Sequence, residues 1–218
     1  MKYQIEINGI EVDAVYSEET IREILLPLLK RIEGLYEKKQ GRILVMLSAP
    51  PGAGKSTFVS FLRHLSLEQG MHPVTAIGMD GFHRYQEELL KRKILRDGKE
   101  YSMVEVKGCP ETFDLEKLLE RVKKVAAGEN CTWPEYNRMT HNPMEDAIRI
   151  DGDIILLEGN YLLLDRPGWK EMKNFADLTI SIRAEEKMLR DRLIDRKIKS
   201  GNSPEMAKQF VDFSDMYN

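Results

Sequence analysis

The stretch Ala49-Pro50-Pro51-Gly52-Ala53-Gly54-Lys55-Ser56-Thr57 holds the residue types that a phosphate-binding loop needs. Glycines at 52 and 54 let backbone N–H groups curl around phosphate oxygens with no Cβ in the way. A helix starting just after them turns its partial positive end toward the same anion. The stretch follows the Gly-x-x-x-x-Gly-Lys-Ser/Thr pattern except at its first position, where Ala49 replaces glycine. Pro51, Gly52, Ala53, Gly54, Lys55, Ser56 and Thr57 are therefore expected to bind ATP. Lys55 would reach the β- and γ-phosphates, and the Ser56 hydroxyl would ligate Mg²⁺. The competing reading is a glycine-rich turn that contains Gly-Lys-Ser by chance. It does not account for the apolar run before the loop and the amphipathic stretch after it.

Two acids and a group of arginines extend this chemistry. Asp80, in Met79-Asp80-Gly81-Phe82-His83, follows an apolar run and falls where open α/β sheets place their ligands. A carboxylate there can take the proton of a hydroxyl that attacks the γ-phosphate. The alternative is an Asp that caps the next turn. Glu158, in Leu156-Leu157-Glu158-Gly159-Asn160, ends another apolar run and is expected to help hold Mg²⁺ through water, with Asn160 on the substrate side. Arg190, Arg192 and Arg196 share one helical stretch, and the last two are four apart on one face. They could close over the triphosphate and stabilise charge on the transferred phosphoryl group. Equally, they could lie on a solvated helix with Asp191 and Asp195 as ion-pair partners.

These residues need a rigid frame. The run Arg42-Ile43-Leu44-Val45-Met46-Leu47-Ser48 predicts a central strand buried on both faces. A helix after the loop would carry Phe58, Phe61, Leu62 and Leu65 on one side and end at Gly70. Residues 73–79 predict a strand, 84–108 a helix followed by an unassigned polar stretch, and 113–127 a helix. Residues 153–157 and 178–182 predict two further buried strands. A helix over 184 to about 200 carries the arginines, and Ser203-Pro204-Glu205 opens a last one. This alternation implies an α/β fold with a doubly wound parallel sheet over residues 40–218.

Ahead of it, 2–7 and 10–16 alternate in Tyr3, Ile5, Ile7 and Ile10, Val12, Ala14 around Asn8-Gly9, a pair suited to a type I′ turn. Ser17 would cap a helix with Ile21, Ile24, Leu28, Ile32 and Leu35 on one face and a kink at Pro27. Residues 1–39 thus read as a hairpin–helix extension packed on the core or forming a homodimer contact.

Composition excludes other classes. With 33 basic and 36 acidic side chains the formal net charge is −3, which gives nucleic acid or an anionic membrane no general attraction. No apolar run approaches the roughly 20 residues of a membrane span, and the first residues contain no signal core. A cytoplasmic protein is expected. Cys109 and Cys131 form no Cys-x-x-Cys pair and read as packing residues. No Asn-Lys-x-Asp guanine-reading element is present, which argues against a GTPase.

Four motifs occur in order: the loop, Met-Asp-Gly-Phe-His, Lys-Gly-Cys-Pro-Glu-Thr-Phe-Asp at 107–114 and Leu-Leu-Glu-Gly-Asn-Tyr-Leu-Leu-Leu-Asp at 156–165. The set resembles the P-loop kinases that include uridine kinase, type I pantothenate kinase and phosphoribulokinase. It looks most like the bacterial nucleoside-kinase-like, fructose-transport-system kinase-like branch, and the resemblance covers about residues 40–215. It implies that Asp80 is the base, that Phe82 and His83 lie beside the acceptor, and that Arg192 and Arg196 are lid arginines. The segment Pro134-Glu135-Tyr136-Asn137-Arg138-Met139-Thr140-His141 is similar to the uridine-kinase Pro-x-Tyr-Asp-x-x-Ser/Thr-His, which would place Tyr136 and His141 in the acceptor pocket. The family's Asp in that segment is Asn137 here. The family pattern also continues into a further strand that the sequence to Asn218 does not supply.

The expectation is an Mg²⁺–ATP-dependent phosphotransferase acting on a hydroxyl of a small metabolite such as a sugar, nucleoside or pantothenate. The rival is an ATP-binding regulatory protein that hydrolyses ATP slowly. Asp80, Tyr136 and His141 favour the first, because a switch needs no acceptor pocket.

Overall fold

The computed structural model describes residues 2–7 and 10–217. Along the chain lie β1 (Lys2–Ile7), β2 (Ile10–Val15), α1 (Leu26–Lys39), β3 (Ile43–Ser48), α2 (Lys55–Glu68) and β4 (Val74–Gly78). Then come α3 (Gln86–Lys91), β5 (Lys93–Arg96), β6 (Lys99–Ser102), α4 (Leu115–Ala126), β7 (Cys131–Asn137) and β8 (Asn142–Ile150). The chain continues through β9 (Ile154–Gly159), β10 (Leu178–Ser181), α5 (Glu186–Lys199) and α6 (Pro204–Phe210).

Four parallel strands form the central sheet in the order β10-β3-β9-β4. All six residues of β3 are buried, as its unbroken apolar run predicts. Successive side chains point to opposite faces. Leu44 and Met46 join Ile155 and Leu157 on one face, packed with Phe82, Trp133, Trp169 and the apolar side of α4. Ile43, Val45 and Leu47 join Ile154 and Leu156 on the other, with Leu29 and Ile32 of α1 and Phe61, Leu62 and Leu65 of α2. Both faces are covered, and each fully buried Leu or Ile contributes roughly 1.5–3 kcal/mol. The stretch 178–182 is not a buried strand. β10 lies at the sheet edge with Thr179 and Ser181 exposed, because an edge strand has a neighbour on one side only.

β1 and β2 pair antiparallel with Ile7 opposite Ile10, and the expected Asn8-Gly9 turn falls outside the described residues. Tyr3 stacks on His64 at 3.6 Å and Tyr16 meets Phe61 at 4.5 Å, so the hairpin rests on α2. Ser17 caps the next segment, its hydroxyl accepting from the Thr20 N–H at 3.0 Å. One α turn, Glu18–Thr20, leads into a π turn, Ile21–Leu25, and then α1. Pro27 has no N–H to donate back along the helix, and the wider turn just before it accommodates that gap. The extra residue in the π turn rotates the apolar stripe. Leu25, Leu29 and Ile32 are buried while Ile24, expected on that face, is 58% exposed.

Two hairpins complete the molecule. β5 and β6 turn at Asp97-Gly98, both with positive φ (51° and 76°). β7 and β8 form a longer hairpin, irregular between Trp133 and Glu135, where Pro134 cannot donate to a ladder. Trp133 Nε1 donates to the Gly78 carbonyl at 2.8 Å and pins this hairpin to the end of β4. No helix among the described residues is long and apolar enough to cross a membrane.

Candidate active site

The loop between β3 and α2 adopts the geometry its glycines permit. Gly52 and Gly54 have φ of 79° and 89°, in the left-handed region. Ala49 lies outside that region and is buried, so the methyl group in place of the usual first glycine brings no strain. The loop entrance is tied to β9: the Ala49 N–H donates to the Gly159 carbonyl, and Ser48 Oγ to the Asn160 carbonyl. Asn160 therefore acts here through its backbone. Lys55 Nζ reaches across the loop to the Pro50 carbonyl at 3.2 Å.

Parallel strands end together, so β4 and β9 deliver their C-terminal acids to the same cleft. Ser56 Oγ donates to Glu158 Oε1 at 2.7 Å. A cavity of about 160 Å³ opens beside this pair, lined by Ser56, Glu158, Asp80, Gly81, Glu135 and Tyr136 among others. Asp80 sits in a 3-10 turn, Met79–Phe82, directly after β4. Its carbonyl accepts from both the His83 N–H (3.1 Å) and His83 Nδ1 (2.9 Å). A carbonyl only accepts, so Nδ1 carries the proton of a neutral His83. At Gly81 a Cβ would stand 2.0 Å from the Pro134 carbonyl oxygen, so only glycine lets the turn and the hairpin approach this closely.

His83 lies between Phe113 (3.9 Å) and Tyr136 (5.1 Å), and Tyr136 lines the same cavity as Asp80. Phe82 is not beside the acceptor space. It is 1% exposed and packs edge-on against Trp133, because in a 3-10 turn it shares the inner face with the buried Met79 three residues earlier. His141 is also displaced from the site. It is exposed in the turn joining β7 and β8, with φ 55°, and its carbonyl rather than its ring takes part, accepting from Lys107 Nζ at 2.8 Å. Lys107 and Arg138 stand close to the cleft and had no functional assignment from sequence. The Asp97-Gly98 pair could have revealed β5–β6, but Pro134 hid β7–β8, whose turn carries Arg138.

Of the arginines on α5, Arg196 lies within electrostatic reach of Lys55, Asp80 and Arg138. Arg192, one turn earlier, is exposed as Arg196 is, so the coupling to Lys55 and Asp80 is what sets Arg196 apart. Arg190 is engaged elsewhere, forked onto Asp212 at 2.6 and 2.8 Å, and Asp195 pairs with Lys199. Among the described residues no arginine of this helix forms an ion pair with Asp191 or Asp195, and Arg196 stays with the cleft.

The electrostatics are those of a site short of compensating charge. Burial and then the neighbouring Asp80 push the Glu158 carboxyl upward, against Lys55 and the Ser56 hydroxyl. Burial lowers the Lys55 ammonium, with Glu158 and Asp80 opposing. Each member of the pair is displaced toward its neutral form, so their mutual attraction does not offset desolvation. Burial also lowers His83, and the Lys107 and Arg138 charges add to this against Asp80. A hydroxyl and a carboxylate 2.7 Å apart, with a second carboxylate nearby, are hard oxygen donors of the kind Mg²⁺ takes alongside water and phosphate. No group of three or more His, Cys, Asp or Glu suited to a metal occurs among the described residues. Any cation here would therefore take most of its ligands from elsewhere.

Over residues 44–214 the chain matches the model of the phosphoribulokinase / uridine kinase family. It is 38% identical over 217 residues to the uncharacterized protein YggC of Escherichia coli, covering 99% of this chain and 87% of that one. It is 32% identical over 189 residues to a provisionally named uridine kinase of Schizosaccharomyces pombe, covering 83% and 78%. The crystal structure of a provisionally named fructose transport system kinase from Silicibacter superposes with a TM-score of 0.79 at 29% identity, covering 89% and 91%.

Proposed function

This chain belongs to the phosphoribulokinase / uridine kinase family, and on that footing we propose that it transfers the γ-phosphate of ATP to a hydroxyl of a small metabolite. The observation that carries the reading is the convergence of Ser56, Glu158 and Asp80 on one cleft at the ends of neighbouring strands, beside Lys55. A phosphate loop alone serves many reactions. A second acid facing open space across from it is what an acceptor hydroxyl needs.

The loop residues 51–57 hold the triphosphate by backbone N–H groups, with Lys55 moving from the Pro50 carbonyl to the phosphates. Ser56 and Glu158 would hold Mg²⁺, which neutralises phosphate charge when bound. Asp80 accepts the proton of the attacking hydroxyl. Its backbone carbonyl, fixed by two donors from His83, keeps the carboxylate aimed into the cleft. Tyr136 and His83 wall the acceptor, with Asn160 at the β9 end. Arg196, with Arg192 a turn before it, supplies positive charge over the transferred group. A phosphoryl transition state spreads negative charge over its oxygens, so these cations stabilise it more than the ground state.

The test is ADP release from Mg²⁺–ATP across a panel of nucleosides, hexoses, pentose phosphates and hydroxy acids, with Asp80→Asn beside the wild type. The expected result is one acceptor that raises turnover well above background, with the increase lost in Asp80→Asn by about 10²–10⁴-fold. Tight ATP binding with slow, acceptor-independent hydrolysis would favour the regulatory reading instead.

A further inference from the structure

Lys107 precedes the 3-10 turn Pro110–Thr112 in the segment after β6, and its ammonium is half-buried. It donates to Gln86 Oε1 and the His141 carbonyl, both at 2.8 Å. Both acceptors are neutral, and one of its three N–H groups is left over. Among the described residues no carboxylate lies within ion-pairing distance of it. Burial pulls its pKa down to about 8. A half-buried cation with only neutral partners is a costly arrangement that a counter-charge would relieve.

Its position says where that counter-charge would sit. Lys107 Nζ is 5.1 Å from the Tyr136 ring, the Tyr136 ring is 5.1 Å from that of His83, and His83 is bonded to the Asp80 backbone. Arg138 approaches the same group from the β7–β8 turn. It is exposed, makes no ion pair among the described residues, and acts electrostatically on His83, Tyr136, Glu158 and Arg196. Lys55 lies on the loop side with Glu158, while Asp80 acts on both sides, on Lys55 and on His83 and Tyr136. Lys107 and Arg138 remain over on the side where the acceptor enters. Asn137 adds no opposing charge: its Oδ1 accepts from the Met139 and Thr140 N–H groups (2.9 and 3.0 Å) and closes the turn that carries Arg138.

Resting on the kinase reading above, we propose that the acceptor carries an anionic group, a carboxylate or a phosphate, besides the hydroxyl it offers Asp80, and that Lys107 and Arg138 hold that group. A neutral acceptor would leave the Lys107 ammonium as poorly compensated in the complex as without it. An anion gains charge-assisted hydrogen bonds from both residues.

The experiment uses charge-matched acceptors with the full chain and Mg²⁺–ATP: glycerate against glycerol, pantothenate against pantothenol, and ribose 5-phosphate against ribose, with uridine as a neutral ring. Product phosphate ester and ADP are both followed. The expected result is an anionic member at least about tenfold better in kcat/KM than its neutral counterpart, the scale of a hydrogen bond to a charged group. Glycerate and pantothenate report a carboxylate, and ribose 5-phosphate a phosphate. In Lys107→Gln and Arg138→Gln the ratio should shrink toward one through a rise in KM, while Lys107→Arg retains it. If a neutral member or uridine is phosphorylated as well as any anion, this inference falls and the kinase reading stands. If Lys107→Gln and Arg138→Gln slow both members of a pair equally, the two residues are structural and the inference also falls. If no acceptor of either charge yields a phosphate ester, the kinase reading itself fails and takes the inference with it.

Discussion

Ser56 Oγ and Glu158 Oε1 are joined by a 2.7 Å hydrogen bond between the first turn of α2 and the end of β9. This bond holds together the two groups that would face the same metal, in a place where burial and Asp80 both disfavour the Glu158 charge.

Glu158→Gln should therefore separate stability from function. The folded-state pKa of Glu158 is raised, so its charged form costs stability above the unfolded value and nothing below it. Thermal melts should show the variant more stable than wild type at pH 8, with the difference vanishing near pH 4. Added Mg²⁺–ATP should reverse the order at pH 8, and turnover should fall by about 10²-fold or more.

His83 has the opposite pH window. Its folded pKa is lowered from 6.5, so the neutral ring contributes stability that is present above that value and lost as pH falls through the folded one. The melting temperature of wild type should fall as pH drops below about 6.5. His83→Asn keeps a donor for the Asp80 carbonyl but does not titrate, so it should flatten that part of the profile. A slope equal to wild type would remove His83 as its source.

Much of this frame is legible in the sequence because it rests on local rules. The run 43–48 reads as a central strand, Ser17 and Ser203 cap as expected, and the loop glycines take the φ values their type allows. Misreadings arise where one element depends on another. The π turn before Pro27 moved Ile24 to the surface, β10 proved to be an edge strand, and Phe82 turned to Trp133. Lys107 and Arg138 both act on His83 only because β7 and β8 fold over the β4 end, an arrangement that no spacing in the sequence records.

Gly81→Ala tests that fold-over directly. The added methyl would meet backbone, the Pro134 carbonyl at 2.0 Å, which no side-chain rotation can relieve. Chemical denaturation should show a loss of about 3 kcal/mol, within the range of severe single-site strain. What activity survives should show a raised acceptor KM with a nearly unchanged ATP KM.

The arginines should rank by position. Arg196→Met should lower kcat by about 10²-fold at saturating substrates, as removal of a charge that acts on the transition state does. Arg192→Met, one turn away from the residue coupled to Lys55 and Asp80, should cost less than about tenfold by the same steady-state assay. Equal losses would show that the helix closes as a unit over the nucleotide.

The approach of the loop to α5 bears on this ranking. A Cβ on Gly52 would sit 3.0 Å from Leu193 Cγ and 3.3 Å from the Leu189 carbonyl oxygen. The helix that carries Arg196 is thus seated directly on the phosphate loop. Loop and helix form one packed unit, so a change at Leu189 or Leu193 should reach nucleotide binding through the loop and turnover through Arg196 together.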